Sequence, residues 1–172
     1  MEEGEARKKA LNLLDRAGIV ITPEEEKNLE ITDLELGRLR DIGIQILTYV
    51  NTNRYCAKEI VMLPGQTCPE HRHPEVAGEP GKQETFRCRW GKVYLFLEGE
   101  STEKPECEPP AGNGDYYTAE KQVILEPGDQ FTIPPNTWHW FQPGSEGAVI
   151  SEFSSTSRDE NDVFRNPNIK RE

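Results

Sequence analysis

From Ile44 onward the chain is a succession of short apolar runs, each closed by a Pro or Gly turn signal, with no helical period between them. This pattern predicts strands over residues 45–50, 60–63, 85–90, 93–97, 122–125, 130–133, 139–142 and 148–153. The punctuation is Pro64-Gly65, Trp90-Gly91-Lys92, Glu98-Gly99, Pro127-Gly128, Pro134-Pro135-Asn136 and Pro143-Gly144, each read as a turn. Many short strands without helices between them leave a β-sandwich or a barrel as the available folds. The first part of the chain reads differently. Ala6, Ala10, Leu13, Leu14 and Ala17 recur at helical spacing over residues 5–17, with Gly18 as the stop. Thr22-Pro23-Glu24-Glu25-Glu26 then reads as the cap and acidic first turn of a second, short helix. The expected division of the 172 residues is a single domain. It comprises a helical extension over 1–42, a β-barrel core over 43–155 and a polar tail over 156–172 wrapping the outside. Residues 73–82 and 104–115 read as loops.

Charge removes several classes of partner. Lys and Arg number 20 against 31 Asp and Glu, a net charge of −11. Such a chain is repelled by phosphate backbones and anionic lipid surfaces, so neither nucleic acid nor membrane is expected as a partner. No apolar run approaches the ~20 residues of a membrane span. The start, MEEGEARKKA, lacks the apolar core of a secretory signal. Cys56, Cys68, Cys88 and Cys107 form no CxxC pair, which fits a reduced, cytoplasmic setting.

The chain has three histidines, and their placement is informative. His71 and His73 form an HxH pair, which an extended strand turns to one face. His139 follows the turn Pro134-Pro135-Asn136, where a neighbouring strand can bring a third ring. Imidazoles gathered on one face are common ligands of first-row metals.

The spacings around these histidines resemble the two sequence motifs of the cupin superfamily. The first, G-x5-H-x-H followed by E-x6-G, is met by Gly65, His71, His73, Glu84 and Gly91. The second, G-x5-P-x-G-x2-H, is met by Gly128, Pro134 and His139, with Asn136 in place of the second glycine. Asn tolerates the left-handed backbone that such a glycine adopts. Ten residues separate His73 from Glu84, and Glu75 and Glu79 lie in that gap, but only Glu84 leaves six residues before Gly91. The resemblance implies an all-β, double-stranded β-helix (jelly-roll) barrel. Its metal ligands would be His71, His73, Glu84 and His139. Three neutral nitrogens and one carboxylate leave two positions of an octahedral metal open, which suits Mn2+ or Fe2+ better than Zn2+.

Within the superfamily, the stretches PGQTCPEHRHP, GKQETFRCRWGKVYLFLEGE and TIPPNTWHWFQ resemble the D-lyxose isomerase family, over residues 51–157 and more weakly in the N-terminal helices. That resemblance implies a Mn2+-dependent aldose–ketose isomerase interconverting D-lyxose and D-xylulose, with D-mannose and D-fructose as a further pair; Fe2+, Co2+ and Zn2+ are alternative metals. The family also carries a lysine two before the glutamate, here Lys82, which on a strand would face the same cavity as Glu84 and reach a sugar oxygen. A base is needed for proton transfer. Glu152 is the first candidate, because it interrupts the apolar run 148–153 in phase with Ile150; Asp162 in the tail is the second. Other residues have simpler readings: Lys92 as a solvated hairpin tip, Arg87 and Arg89 as the outer face of a strand, Cys68 as a small buried thiol. Glu24–Glu26 reads as a helix start, while Trp138, Trp140 and Phe141 are open between pocket wall and core. Two other functions compete with the isomerase, a metal-dependent dioxygenase and a non-catalytic sugar-binding cupin. A homodimer is expected in each case.

Overall fold

The computed structural model describes residues 1–171. Two helices lead, α1 (Glu3–Arg16) and α2 (Pro23–Asn28). Nine strands follow: β1 (Glu30–Thr32), β2 (Ile44–Asn51), β3 (Cys56–Met62), β4 (Cys68–Arg72), β5 (Glu84–Leu97), β6 (Lys121–Leu125), β7 (Gln130–Ile133), β8 (His139–Ser154) and β9 (Val163–Phe164). The mostly β architecture is the one expected. All strand pairings are antiparallel.

The main departure from the sequence reading concerns β5 and β8. Trp90-Gly91-Lys92 and Pro143-Gly144 do not turn the chain; each lies inside one long strand. The early half of β5 pairs with β7 and the late half of β8, and its late half pairs with β6 and the early half of β8. Register shifts at Cys88/Trp90 and Gly91/Val93 bend the pair midway along its length, where the single nine-stranded sheet curls. Glycine is required at this bend. Gly91 has φ +76°, and a Cβ there would lie 2.1 Å from the carbonyl oxygen of Gly147. Lys92 is therefore a mid-strand residue, facing Glu126 at 3.4 Å, and not a hairpin tip. The strand expected over 60–63 begins earlier, at Cys56, because Lys58 and Glu59 are accommodated within the barrel wall.

The core lies inside the curled sheet, where Ile46, Ile60, Phe86, Leu95, Phe141 and Ile150 pack together. α1 covers the outside of the sheet. Its buried residues Ala6, Ala10, Leu13 and Leu14 are those of the sequence stripe, and they meet Leu47, Val61 and Val149. Each of the two leucines contributes roughly 1.5–3 kcal/mol by leaving water. α2 starts with a capping box between Thr22 and Glu25. The tail does not wrap the outside. Val163 and Phe164 pair with Arg72 and His71, and Asp159, Asp162, Phe164 and Arg171 line the interior cavity. A polar tail has a place inside because the cavity offers it charged partners.

Candidate metal centre

His71 and His139 are cross-strand partners on β4 and β8, with ring centroids 4.2 Å apart. His73 lies one residue beyond β4, and Glu84 opens β5. The loop between them explains how the long spacer is tolerated. Residues 74–83 form a small excursion closed by the Val76–Glu79 bridge. It returns at Gly81, where a Cβ would lie 1.9 Å from the His73 carbonyl oxygen. Asn136, with φ +59°, takes the left-handed backbone and donates its N–H to that same carbonyl at 3.0 Å.

One potential ligand atom from each of His71, His73, Glu84 and His139 lies within 4.8 Å of the others, and all four residues are buried. The rings are oriented from behind. His71 Nδ1–H donates to Pro69 O at 2.8 Å, His139 Nδ1–H to Thr137 O at 2.9 Å, and His73 Nδ1–H to Asp162 Oδ1 at 2.5 Å. Each bond fixes the proton on Nδ1 and leaves Nε2 as the inward atom. His139 Nε2 lies 2.9 Å from Glu84 Oε1 but outside hydrogen-bonding geometry, so it is a buried nitrogen with no partner. Three inward Nε2 atoms and a carboxylate fit a divalent cation with oxygen and nitrogen preferences. Burial, with His139 and His73 adding to it, holds His71 well below the usual histidine range and so neutral. At His73 burial opposes the charge, but Glu84 and Asp162 outweigh it and raise the ring to about 9.

The same cavity holds a chain of alternating charge. Lys82 Nζ lies 2.7 Å from Glu84 Oε2 and 3.1 Å from Glu152 Oε1. Burial alone would discharge this lysine, yet Glu152 and Glu84 drive it well above its ordinary value, so it is an ammonium and a donor. Glu84 is likewise held well below the carboxylate range, burial being overcome by Lys82 and His73. Asp162, considered above as a base, is engaged behind His73. Cys68 lines the cavity as a thiol whose ionisation burial suppresses. Phe141 also lines it, whereas Trp140 stacks on Phe96 in a separate cluster and Trp138 lies under Arg72 and Arg165.

Sequence reading missed Lys58, Asp159 and Arg171. Lys58 was accessible, because it sits in phase with Ile60 and Met62 and directly opposite Glu152. Its ammonium donates to Asp159 Oδ2 at 2.7 Å and Ser157 Oγ at 2.9 Å. Asp159 is held well below its ordinary value, burial being outweighed by Lys82 and Lys58. A depressed folded-state pKa stabilises fully above the unfolded value of ~3.9 and loses that contribution as pH falls below it. Asp159→Asn is therefore expected to cost roughly 3 kcal/mol at pH 7, with the gap from wild type shrinking toward pH 3 in urea titrations. A pH-independent gap would contradict the ion-pair account.

The family model described as D-lyxose isomerase matches residues 18–172. The D-lyxose/D-mannose isomerase of Thermosediminibacter oceani is 61% identical over 167 residues, 97% of this chain and 92% of that protein. The D-lyxose ketol-isomerase of a Thermofilum species is 56% identical, over 97% of this chain and 93% of its own. Among solved structures, Cellulomonas parahominis L-ribose isomerase with L-ribose superposes with TM-score 0.78 at 18% identity, covering 96% of this chain and 91% of that one. That likeness shows the fold alone. On the extent of the family match and the identity of its relatives, the chain belongs to the D-lyxose isomerase family.

Proposed function

We propose that the protein is an aldose–ketose isomerase that interconverts D-lyxose and D-xylulose at a Mn2+ centre held by His71, His73, Glu84 and His139. D-Mannose and D-fructose form a second pair, in line with the name carried by the 61% identical relative. The observation that carries the reading is one buried cavity in which the four-residue cluster and the Lys82–Glu152 pair share Glu84. A divalent cation held by His71, His73, Glu84 and His139 would supply Lewis-acid chemistry to the sugar. Glu152 removes the proton from C2 of the aldose and returns it to C1, while the hydroxyl proton of O2 passes to O1, giving the ketose. Lys82, an ammonium, donates a hydrogen bond to the sugar oxygen on which negative charge develops. Asp162 holds His73 in its inward tautomer, and Phe86, Phe141 and Phe164 exclude water.

The reading is tested by giving D-lyxose to metal-stripped protein, with and without added Mn2+, in the absence of oxygen. D-Xylulose formation that needs the metal but not oxygen supports it. Turnover that stops without oxygen would make the protein a dioxygenase. Sugar binding without product, for any aldose, would make it a non-catalytic cupin.

The monosaccharide meets this site in a protein that we read as a cytoplasmic homodimer. All four cysteines are free thiols, and among the described residues no helix is long and apolar enough to cross a membrane. Phe153 is 51% exposed on the outer face of β8, opposite Ala57 on β3 and Thr85 on β5. Tyr49 on β2 and Tyr55 beside it are 42% and 53% exposed. A second copy related by a two-fold axis near Phe153 would cover these exposed aromatic rings. Phe153→Asp is expected to convert the dimer to a monomer in sedimentation velocity, whereas a wild-type monomer would refute the assembly.

A further inference from the structure

Glu70 precedes His71 in β4, and its carboxylate is completely buried on the side away from the histidines. Isolated there it would be costly, but it is fully engaged. It accepts the N–H groups of Thr118 at 2.5 Å and Ala119 at 2.9 Å, the Thr118 hydroxyl at 2.8 Å and Arg165 Nε–H at 3.0 Å. The backbone of Arg165 also donates to Glu70 O at 3.0 Å. The Arg165 guanidinium lies 3.8 Å from the ring centroid of Trp138, the residue before His139.

Arg165 directly follows β9, and β9 together with the residue before it carries what faces the other two histidines. Phe164 stacks on the His71 ring with centroids 5.4 Å apart, and Asp162 accepts the His73 Nδ1–H. β9 has two residues and two ladder partners, too few to hold a strand against a sheet unaided. What fastens it further is Arg165, one residue beyond its end, bonded to Glu70 through both backbone and side chain.

We propose that Glu70 is a positioning residue of the metal centre: through Arg165 it holds β9 on β4, so that Asp162 stays on His73 and Phe164 on His71. The role rests on the reading of the histidine cluster as a metal centre. Losing an outer partner of a metal-bound histidine typically weakens metal binding about 10–100-fold. Glu70→Gln, which keeps the shape but removes the charge, and Arg165→Met are therefore each expected to weaken Mn2+ binding by about that factor. The affinity is measured by competition with a fluorescent chelator. The double variant should be no worse than the weaker single one, because both break the same link. In the same variants the Nδ1 proton of His73, observed by 15N NMR of the metal-free protein, should lose its hydrogen-bonded shift.

Arg165 is 38% exposed on its side chain, so Arg165→Met tests the link even where Glu70→Gln fails to fold. Thr118→Val removes a different Glu70 partner and is expected to leave Mn2+ affinity unchanged. Wild-type Mn2+ affinity and an unchanged His73 signal in Arg165→Met would overturn the proposal. So would Thr118→Val if it matched the Glu70→Gln loss, since the route would then run through residues 118–119. A wild-type protein that bound no Mn2+ would instead fail the metal-centre reading itself, and the role with it.

Discussion

Glu152→Gln is expected to retain Mn2+ and D-lyxose binding while isomerisation falls by about 10²–10⁴-fold, the usual contribution of a positioned general base. The substitution keeps the side-chain volume, and Lys82 still finds an amide oxygen in place of the carboxylate oxygen now 3.1 Å away. What disappears is the group that can take a proton from carbon. The carboxylate lies on the inward face of β8, in phase with Ile150 and directly opposite Lys58 and Phe86. Two measurements separate its role from a general disturbance. Solvent deuterium should cease to enter C1 and C2 of the sugar, and the Mn2+ content per chain should match wild type. If exchange continued at a near wild-type rate, the base would have to be sought elsewhere, with Asp162 the next carboxylate in the cavity.

His139→Ala is expected to lower Mn2+ affinity by more than about 100-fold and to remove activity, because a primary ligand is lost where even outer partners count for 10–100-fold. His139 is completely buried, and its inward Nε2, 2.9 Å from Glu84 Oε1, is outside hydrogen-bonding geometry. The variant should stay soluble, and elemental analysis of the purified chain reads the metal directly. A parallel pair addresses the long spacer. Glu84→Ala should lose the metal, whereas Glu79→Ala, altering the exposed bridge of the 74–83 excursion, should keep it. The reverse outcome would move the carboxylate ligand into the loop.

The sequence made the cavity's chemistry more visible than its enclosure. Glu152 could be found because a charge interrupting an alternating apolar strand has to face something, and Lys58 carries the same signal on the neighbouring strand. Asn136 could be read as a left-handed residue because its side chain is one of the few that tolerate that backbone. The bends at Gly91 and Pro143-Gly144 were indistinguishable from turns, because a bulge and a tight turn both call for residues that accept unusual backbone angles. Only the long-range pairing of β5 with β8 decides between them. The tail offered no periodicity at all. Its place inside follows from Asp159 meeting Lys58, Asp162 meeting His73 and Arg165 meeting Glu70, partners about 90 to 100 residues away that local pattern cannot connect.

The continuous β5–β8 pair gives the centre a mechanical meaning. Glu84 pairs with Ser154 at one end of this ribbon, and His139 pairs with Leu97 at the other. Laid flat, 13 residue steps at ~3.3 Å would hold these ends about 43 Å apart. In the folded chain Glu84 Oε1 and His139 Nε2 are 2.9 Å apart. The ribbon is curled like a bracelet, and a cation held by both residues would be its clasp. Uncurling the ribbon would pull the clasp apart, so ligand binding energy at this point would be shared by the barrel as a whole. A site fastened across the seam of a closed ribbon cannot form in a half-folded one, and loading would therefore report that the last turn of the barrel has shut.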